Sequence, residues 1–552
     1  MPILNLFNRK FALILAFIFL AELFSLFGYL LSDFNKIGFF IIVLLILIAS
    51  LIKLEYGLWI LFTELFIGSK GYLFFFEDDG IIISIRIALW LVVMAVWLGQ
   101  TISYWIKNKK LQIRFFKSSY SSYFLILFLF IIWGIVNGFL NNNETSNIFF
   151  DFNGWLYFTL IFPVYSVFKK NDREMGMTSA VQLTPPINTI LQIFTASIIW
   201  LSAKTFFLLF VFFHNIISIT SELYRWVRVS GVGEITQMQG GFYRIFFQSH
   251  IFVLIGFFVF LLLLTSKILG NRQSPPALAE ETLAKRNKPV NRQSSPRETL
   301  MRRITLFSVF CFLFSTILIS FSRSFWAGLI VGLLFYYFII LLFYKIGWKK
   351  FIIANAILLC AGIFSVGLIV AVVKFPYPQP LGGFATTELL SKRAGQITGE
   401  AGVSSRWALL PELWNKIKQA PILGQGFGAA VTYQSSDPRV LQSSPTGKYT
   451  TYAFEWGWLD IWLKLGVFGM LAYLILIGKI FVIGAKKLLI NNDNQLLIVS
   501  LIIGLIVISV VSIFSPYMNH PLGIGYLILI SAILESKKQI TDNFQPTPLR
   551  NF

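Results

Sequence analysis

Long runs of apolar residues separated by short polar connections dominate the pattern along this chain. A helix needs about 20 mostly apolar residues to cross a hydrocarbon core of about 30 Å. Fourteen runs approach this criterion, near residues 11–31, 37–54, 57–76, 81–106, 120–140, 154–168, 188–214, 251–266, 304–321, 326–345, 351–373, 458–485, 496–515 and 524–536. The pattern therefore predicts an all-α, polytopic membrane helix bundle with about 14 spans (12–14).

The composition supports this fold class and excludes several kinds of functional site. Hydrophobic residues make up 56% of the 552 residues and charged residues only 13%, against about a quarter in an ordinary soluble domain. The two cysteines, Cys311 and Cys360, both fall in apolar runs, so a disulfide framework and a CxxC metal site are excluded. There is no Walker A or GxGxxG motif. We predict no metal site and no cofactor.

The basic residues indicate how the chain is oriented. Lys and Arg clusters occupy every second connection between the apolar runs, and such clusters stay on the cytoplasmic side. The alternation predicts that both termini are cytoplasmic and that the chain lies in the cytoplasmic (inner) membrane. It also explains the net charge of +21 without nucleic acid, which we do not expect as a partner; membrane lipids are the expected surroundings.

Loop lengths divide the chain further. The outer connection 215–250 and the basic cytoplasmic connection 267–303 interrupt the central spans, and we expect the latter to be disordered because it has no aromatic residue and several prolines. The predicted parts are N-terminal spans 1–186, central spans 187–373, a large extracytoplasmic loop 374–457, C-terminal spans 458–536 and a cytoplasmic tail 537–552.

The large outer loop contains a predicted amphipathic helix. Apolar residues such as Leu409, Leu413 and Ile417 recur at helical spacing after Arg406. Pro421 ends this helix, and a turn containing Gly424 and Gly426 follows. Glycines let a backbone approach a ligand closely, so we propose both for substrate binding. The alternative is a helix that only lies at the membrane interface.

Arginines on the outer face are the next candidates. Arg323 lies in a very short outer turn, Ser322-Arg323-Ser324, and Arg225, Arg228 and Arg244 lie in the connection 215–250. Outer arginines oppose the positive-inside bias. A guanidinium that faces a cavity can hold a diphosphate by paired hydrogen bonds. The alternative for each is a charge that reaches solvent or lipid headgroups.

Two carboxylates stand among tryptophans where the loop returns to the membrane. Glu455 and Asp460 lie in the run Phe454 to Trp462. Apolar surroundings raise the pKa of a carboxylate, which suits it to accept a proton from a sugar hydroxyl. The alternative is an aromatic interface belt with an Asp460–Lys464 pair. Arg86 and Lys204 are further candidate interior cations.

Taken in order, these motifs resemble the O-antigen ligase and polymerase superfamily, multi-pass membrane glycosyltransferases that use undecaprenyl-diphosphate-linked glycans. The resemblance spans about residues 190–535. Its motifs are the Ser322-Arg323 turn, the loop that opens at Arg406 and reaches Pro421, Gly424 and Gly426, and the closing Gly466-x-x-Gly469.

One position departs from the ligase pattern. The ligases place a catalytic histidine eleven residues before the first glycine of the closing motif, and here Glu455 stands at that distance from Gly466. A glutamate can serve as a base, but the substitution favours a polymerase or a less studied relative. His250 is the histidine that we expect could approach this position in space.

The resemblance implies a metal-independent, inverting glycosyl transfer on the outer face. In this chain Arg323, Arg244 and Arg406 would hold the diphosphate of the donor, and Glu455 would orient or deprotonate the acceptor hydroxyl. Besides the two glycines, the predicted substrate-binding residues are Arg225, Arg228 and Asp460. The implied partners are a polyprenyl-diphosphate-linked glycan donor and a glycan acceptor, with a flippase and a chain-length regulator as further candidates.

The main hypothesis is polymerisation of lipid-linked oligosaccharide repeat units for surface polysaccharide. Ligation of a finished glycan to a lipid or protein differs only in its acceptor, which the sequence does not reveal. A secondary transporter is the alternative from another class; it predicts ionisable residues near mid-membrane and inverted repeats of spans. A structural role in an envelope assembly complex is the last alternative.

Overall fold

Helices overlap all fourteen predicted apolar runs. The computed structural model describes residues 6–78, 81–168, 185–214, 216–238, 241–269, 296–380, 401–444, 446–489 and 495–536. Its membrane-type helices are α1 (Arg9–Leu30), α2 (Ser32–Ile52), α3 (Leu54–Ile67), α4 (Ile85–Asn108), α5 (Ser121–Leu140), α6 (Thr145–Asn153), a 3₁₀ segment (Gly154–Leu160) that continues into α7 (Ile161–Phe168), and α8 (Pro185–Phe213).

The second half of the chain adds a similar series. An outer helix α9 (Ile217–Val229) precedes α10 (His250–Leu269), α11 (Pro296–Ser320), α12 (Arg323–Phe338), which a π-helical turn (Ile339–Phe343) extends, and α13 (Trp348–Val373). The loop helices α14 (Ala401–Gln419) and α15 (Pro438–Ser443) precede α16 (Gly457–Leu489), α17 (Gln495–Val511) and α18 (Pro521–Ser536).

Ten helical stretches among the described residues are long and apolar enough to cross a membrane, and three shorter apolar stretches, His250–Ser266 in α10, Gln495–Val511 in α17 and Pro521–Glu535 in α18, lie beside them. Ten is fewer than the predicted 12–14 because these three stretches and α3 are each shorter than 18 residues. The all-α, polytopic helix bundle is confirmed.

Burial separates central from peripheral helices. In α8, 67% of the most apolar stretch is buried, against 22% in α1, which packs on it. The side chain of Phe17 on α1 is 70% exposed, as expected of a surface that faces lipid tails. α10 packs on α11 and α17, α12 packs on α17, and α5 packs on α16.

Three two-stranded antiparallel hairpins, which the apolar pattern did not predict, lie in connections assigned to the outer face. They pair β1 (Phe75–Asp78) with β2 (Ile81–Ser84), β3 (Gly233–Gln237) with β4 (Tyr243–Phe247), and β5 (Val431–Gln434) with β6 (Lys448–Thr451). Their strands are too short to be stable alone. They form because they pack on helices, as β4 does on α8 and α11.

The predicted amphipathic helix of the outer loop is confirmed as α14. Its residues Leu409, Leu413 and Ile417 are buried in a small second core together with Val431 of β5 and Phe454. The loop therefore has a core of its own beside the core of the bundle.

Several predicted segments lie wholly or partly outside the described residues. The tail 537–552 does, as do residues 270–295 of the basic connection and residues 381–400 of the large loop. Residues 296–303, predicted to be disordered, instead begin α11. Proline is favourable at the first helical position, and Pro296 occupies it here.

Candidate functional site

A cavity of about 1110 Å³ lies where the ends of several helices meet the large loop. Its walls come from five separate segments of the chain: Lys70 between α3 and β1, the stretch from the end of α9 through the β3–β4 hairpin, the start of α12, the loop from α14 to Glu455, and the connection between α17 and α18. All five belong to connections that the basic residues assign to the outer face. The four predicted catalytic residues Arg244, Arg323, Arg406 and Glu455 all line it.

Arg244 is held on β4, opposite Thr236 of β3. Its Nε donates a hydrogen bond to the carbonyl oxygen of Ser320 at 2.8 Å, and its guanidinium lies 4.9 Å from the ring centre of Phe246. Burial lowers the pKa of Arg244, and the charge of Arg323 lowers it further while Glu234 opposes the shift. The guanidinium stays charged at neutral pH and is fixed in position.

Arg323 begins α12 after a turn of very few residues. Phe321 takes a left-handed backbone conformation with φ of 44°, which is unusual for a residue other than glycine. The Ser322 and Ser324 hydroxyls lie 3.1 Å apart, and the Ser515 hydroxyl donates to Ser324 at 3.3 Å. This tight turn places the arginine at the cavity wall rather than among lipid tails.

Arg406 and Glu455 form an ion pair inside the same cavity. The two side chains are 44% and 47% exposed, so the pair adds little to stability by itself. Trp456 donates to the carbonyl oxygen of Arg406 at 3.1 Å. Burial lowers the pKa of Arg406, and the positive charges of Arg244 and Arg323 lower it further while Glu234 opposes the shift.

The cavity therefore carries excess positive charge. Five Lys and Arg side chains and three carboxylates line it: Lys70, Arg228, Arg244, Arg323 and Arg406 against Glu234, Asp437 and Glu455. Such a site attracts anions with several oxygens. Among the described residues, no group of three or more His, Cys, Asp or Glu side chains could hold a metal ion.

The proposed substrate-binding arginines are placed differently. Arg228 lines the cavity and stacks on Tyr224, with the guanidinium carbon 5.6 Å from the ring centre. Arg225 does not line it; its side chain is 66% exposed and lies 3.6 Å from Glu222. Only Arg228 is in a position to contact a ligand in this cavity.

Gly424 and Gly426 lie outside the cavity lining and bring backbones together. Both have positive φ, 76° and 79°. A Cβ on Gly424 would lie 2.6 Å from the backbone nitrogen of Gly466, and one on Gly426 would lie 2.1 Å from that of Gly138. The close approach that the sequence indicated is thus to α5 and α16, and this turn anchors the loop to the bundle.

Asp460 also lies outside the cavity lining, in a buried ionic cluster. Lys464 Nζ lies 2.5 Å from Asp460 and 2.5 Å from Asp151, and Asn519 donates to Asp460. Gly428 N–H donates to Asp151 at 2.9 Å. The Asp460–Lys464 pair considered from the sequence is present, and it connects α16 to α6 and to the glycine turn.

Sequence reasoning missed two groups that line the cavity, Lys70 and His520. Lys70 falls inside the predicted apolar run 57–76, but α3 ends at Ile67, which leaves Lys70 in a connection. A search for cations within apolar runs, which selected Arg86 and Lys204, would have found it. His250, considered as the histidine near Glu455, is instead buried against Thr205, with its Nε2 at 2.9 Å from the hydroxyl. Burial and the charges of Arg86, Lys70 and Lys464 lower the pKa of His520 to about 4, so its imidazole is neutral at ordinary pH.

Comparison with known proteins agrees with the sequence motifs. Residues 307–474 match the family model described as O-antigen ligase. This stretch contains the Ser322-Arg323 turn, Arg406, the glycine turn, Glu455 and Gly466, and it covers less than a third of the chain. No curated protein and no solved structure matches the chain.

Arg244, Lys70 and His520 contribute to the cavity from outside the matched stretch. The proposed extent of the resemblance, residues 190–535, is thus wider than the match. The resemblance to the O-antigen ligase superfamily is confirmed over residues 307–474, which form an O-antigen ligase-type region within a multi-pass membrane protein.

Proposed function

We propose that this protein transfers a glycan from a polyprenyl diphosphate carrier to a hydroxyl group of a second substrate, and that the transfer polymerises oligosaccharide repeat units. The observation that carries the proposal is the convergence of Arg244, Arg323, Arg406 and Glu455 on one cavity. They come from three segments of the chain, and Arg406 and Glu455 lie near opposite ends of the third. Fixed cations around a roomy cavity suit a reaction whose leaving group is a diphosphate.

The proposed chemistry is a direct displacement of the diphosphate. The acceptor oxygen attacks the anomeric carbon on the side opposite the diphosphate, so the configuration inverts. The bond from this carbon to the diphosphate oxygen breaks, and the polyprenyl diphosphate leaves with the electron pair. Negative charge grows on the leaving group, and Arg244 and Arg323 stabilise it. Activity should therefore persist when a chelator removes divalent ions, which an EDTA-treated membrane assay would test.

Glu455 orients the acceptor hydroxyl or takes its proton as the new bond forms. Its partner Arg406 carries five N–H donors, so one guanidinium can hold the carboxylate and a phosphate oxygen together. The ion pair would thus connect the proton acceptor to the leaving group.

The acceptor distinguishes two candidate functions. Polymerisation is our first choice because Glu455 stands where the ligases carry a histidine. Ligation to a lipid or protein is the second candidate because the matching family model is described as O-antigen ligase. A transporter is the remaining alternative, and the buried ionic groups of the bundle give it a specific basis.

Orientation and partners belong to the proposal as well. The basic clusters support an orientation in which both termini are cytoplasmic and the cavity lies on the outer face of the cytoplasmic membrane. A donor assembled on the inner face then needs a flippase, and a polymerase needs a means of setting chain length. Labelling of single cysteines placed at positions 377 and 349 with a membrane-impermeant reagent would test the orientation, because only position 377 should react in intact cells.

The experiment that tests the function is deletion of the gene, followed by size profiling of surface and released polysaccharide. The deletion strain is then complemented with the wild type and with Glu455→Gln. Loss of long chains with retention of single repeat units would support the polymerase. Intact polymer that accumulates on its lipid carrier would support the ligase, and an unchanged glycan profile would contradict both and favour the transporter.

A further inference from the structure

The three arginines Arg244, Arg323 and Arg406 form one wall of the cavity, the arginine wall. The β5–β6 hairpin forms another wall, which differs from it in chemistry. Side chains alternate between the two faces of a strand. Tyr433 of β5 and Tyr449 and Thr451 of β6 line the cavity, whereas their neighbours Thr432 and Thr450 do not. One face of the hairpin is therefore turned towards the cavity and the other towards solvent.

The face towards the cavity combines aromatic rings with hydroxyl groups. Tyr433 pairs directly with Tyr449 across the hairpin, with ring centres 6.0 Å apart and planes at 86°. Tyr449 is 41% exposed, so its ring is accessible. Thr451 lies two residues further along the same face, and the carboxylate-bearing residue Asp437 follows β5 on the same wall. Among the described residues of β5 and β6, no Lys or Arg lines the cavity.

This wall is held firmly to the rest of the loop. The hydroxyl groups of Ser405 on α14 and Ser435 lie 2.8 Å apart, and Ser436 N–H donates to the Ser405 hydroxyl at 3.2 Å. Val431 of β5 is buried in the core of the loop beside Leu409 and Leu413. The rings are thus presented on a fixed surface rather than on a free loop.

Size and chemistry together indicate what this wall contacts. The cavity of about 1110 Å³ is larger than most small-molecule sites, which span about 300–1,000 Å³, and a diphosphate would occupy only part of it. A pyranose ring has an apolar C–H face and hydroxyl edges. Tyrosine rings pack on the apolar C–H face, and their hydroxyl groups accept or donate hydrogen bonds. Threonine and aspartate side chains form hydrogen bonds with the sugar hydroxyl groups.

We infer that the cavity face of the β5–β6 hairpin, formed by Tyr433, Tyr449 and Thr451, binds the sugar rings of the glycan substrate and so selects which glycan is transferred. The inference rests on the proposed function, since it assigns the sugar part of the same substrate to a wall separate from the arginines. The sugar rings belong either to the donor or to the acceptor, and the experiment distinguishes the two.

The test uses the full-length protein in detergent with two probes: undecaprenyl diphosphate without sugar, and the lipid-linked glycan extracted from the deletion strain. The variant is Tyr433→Ala/Tyr449→Ala. Its control is Thr432→Ala/Thr450→Ala, which changes the opposite face of the same hairpin. If the hairpin binds donor sugar, the dissociation constant for the lipid-linked glycan rises about tenfold in the tyrosine variant alone.

The sugar-free carrier should bind the wild type and both hairpin variants equally, because its diphosphate contacts the arginines. Tyr433→Phe/Tyr449→Phe should retain most of the affinity if the rings do the binding. If the sugar belongs to the acceptor, donor binding stays unchanged, while the KM for acceptor in a transfer assay rises about tenfold in the alanine variant.

Equal behaviour of the tyrosine variant and the wild type in both binding and transfer would overturn the inference, as would an equal loss of affinity for both probes. The single variant Tyr449→Ala, at the more accessible ring, decides the matter if the double variant does not fold. Failure of the proposed function has a different signature: the wild type would bind neither probe, or Arg323→Lys would bind undecaprenyl diphosphate as the wild type does.

Discussion

Charged residues occur in two settings in this protein, and the contrast separates structure from function. Within the bundle they are buried and paired: Glu22 with Lys204 at 2.6 Å, Glu64 with Arg86 at 2.8 Å, and Lys464 with Asp151 and Asp460. At the cavity they are partly accessible, and cations exceed carboxylates. The same types of side chain thus hold helices together in the bundle and remain accessible to a ligand at the cavity.

The physical reason is solvation. A charge inside a membrane protein needs a partner of opposite sign because nothing else there replaces water, and Arg86 and Lys204 each have such a partner. A charge on a cavity wall keeps access to water or to a ligand, so an excess of one sign can persist. The excess at the cavity indicates an anionic substrate, whereas balance in the bundle indicates fold stabilisation.

The sharpest test of this contrast is at the arginine wall. Arg244→Lys or Arg323→Lys should reduce glycan transfer about 100-fold, because a point charge does not replace the paired hydrogen bonds of a guanidinium. The folded protein should be recovered in normal amount. Transfer in membranes from the complemented deletion strain measures the effect.

Arg303→Lys, at the opposite end of α11 from the cavity, is the matched control and should behave as the wild type. Full activity of both Arg244→Lys and Arg323→Lys would contradict the assignment of these arginines to the diphosphate.

The converse test is at the buried cluster. Lys464→Met leaves Asp151 and Asp460 without their cation, and loss of one partner from a buried ion pair costs about 3–5 kcal/mol. We expect a large loss of folded protein, measured by thermal unfolding and size-exclusion chromatography in detergent. Arg406→Ala, which breaks an accessible pair, should cost about 1 kcal/mol or less. Equal destabilisation by the two substitutions would remove the distinction between the settings.

The glycine turn that anchors the loop provides a test of intermediate size. Gly426→Ala introduces a Cβ 2.1 Å from the backbone of Gly138 at a positive φ, so we expect about 2 kcal/mol of destabilisation. Gly478→Ala in α16 has no atom within 4 Å of its Cβ and should be neutral or slightly stabilising. Thermal unfolding of the two variants compares them, and similar midpoints would show that the turn tolerates a side chain.

An effect confined to low pH concerns His520, the neutral group on a cavity wall rich in cations. Its pKa of about 4 lies below the usual 6.5. As the pH falls, this histidine therefore binds a proton in the unfolded state before it does so in the folded state. The free energy of unfolding is highest above pH 6.5 and decreases as the pH falls towards 4. His520→Gln should weaken the pH dependence of the unfolding temperature between pH 6.5 and 4.5. An unchanged pH dependence would show that this histidine titrates normally.

The helices of this fold could be predicted from the local sequence. Apolar runs of sufficient length must become helices in a membrane because every backbone polar group needs an internal partner, and the amphipathic period of α14 is visible in the spacing of Leu409, Leu413 and Ile417. The outer arginines could also be selected from the chain, since they oppose a charge bias that follows from sequence order.

Tertiary structure alone decided which of these residues meet. Lys464 joins Asp151 from 313 positions away, Arg406 pairs with Glu455, which lies 49 positions further along the outer loop, and His520 rather than His250 lines the cavity. The hairpins have strands of four or five residues, too short for a periodic signal, and they exist because helix ends support them. Hydropathy and helical period act between near neighbours in the chain, whereas a cavity depends on the packing of distant segments.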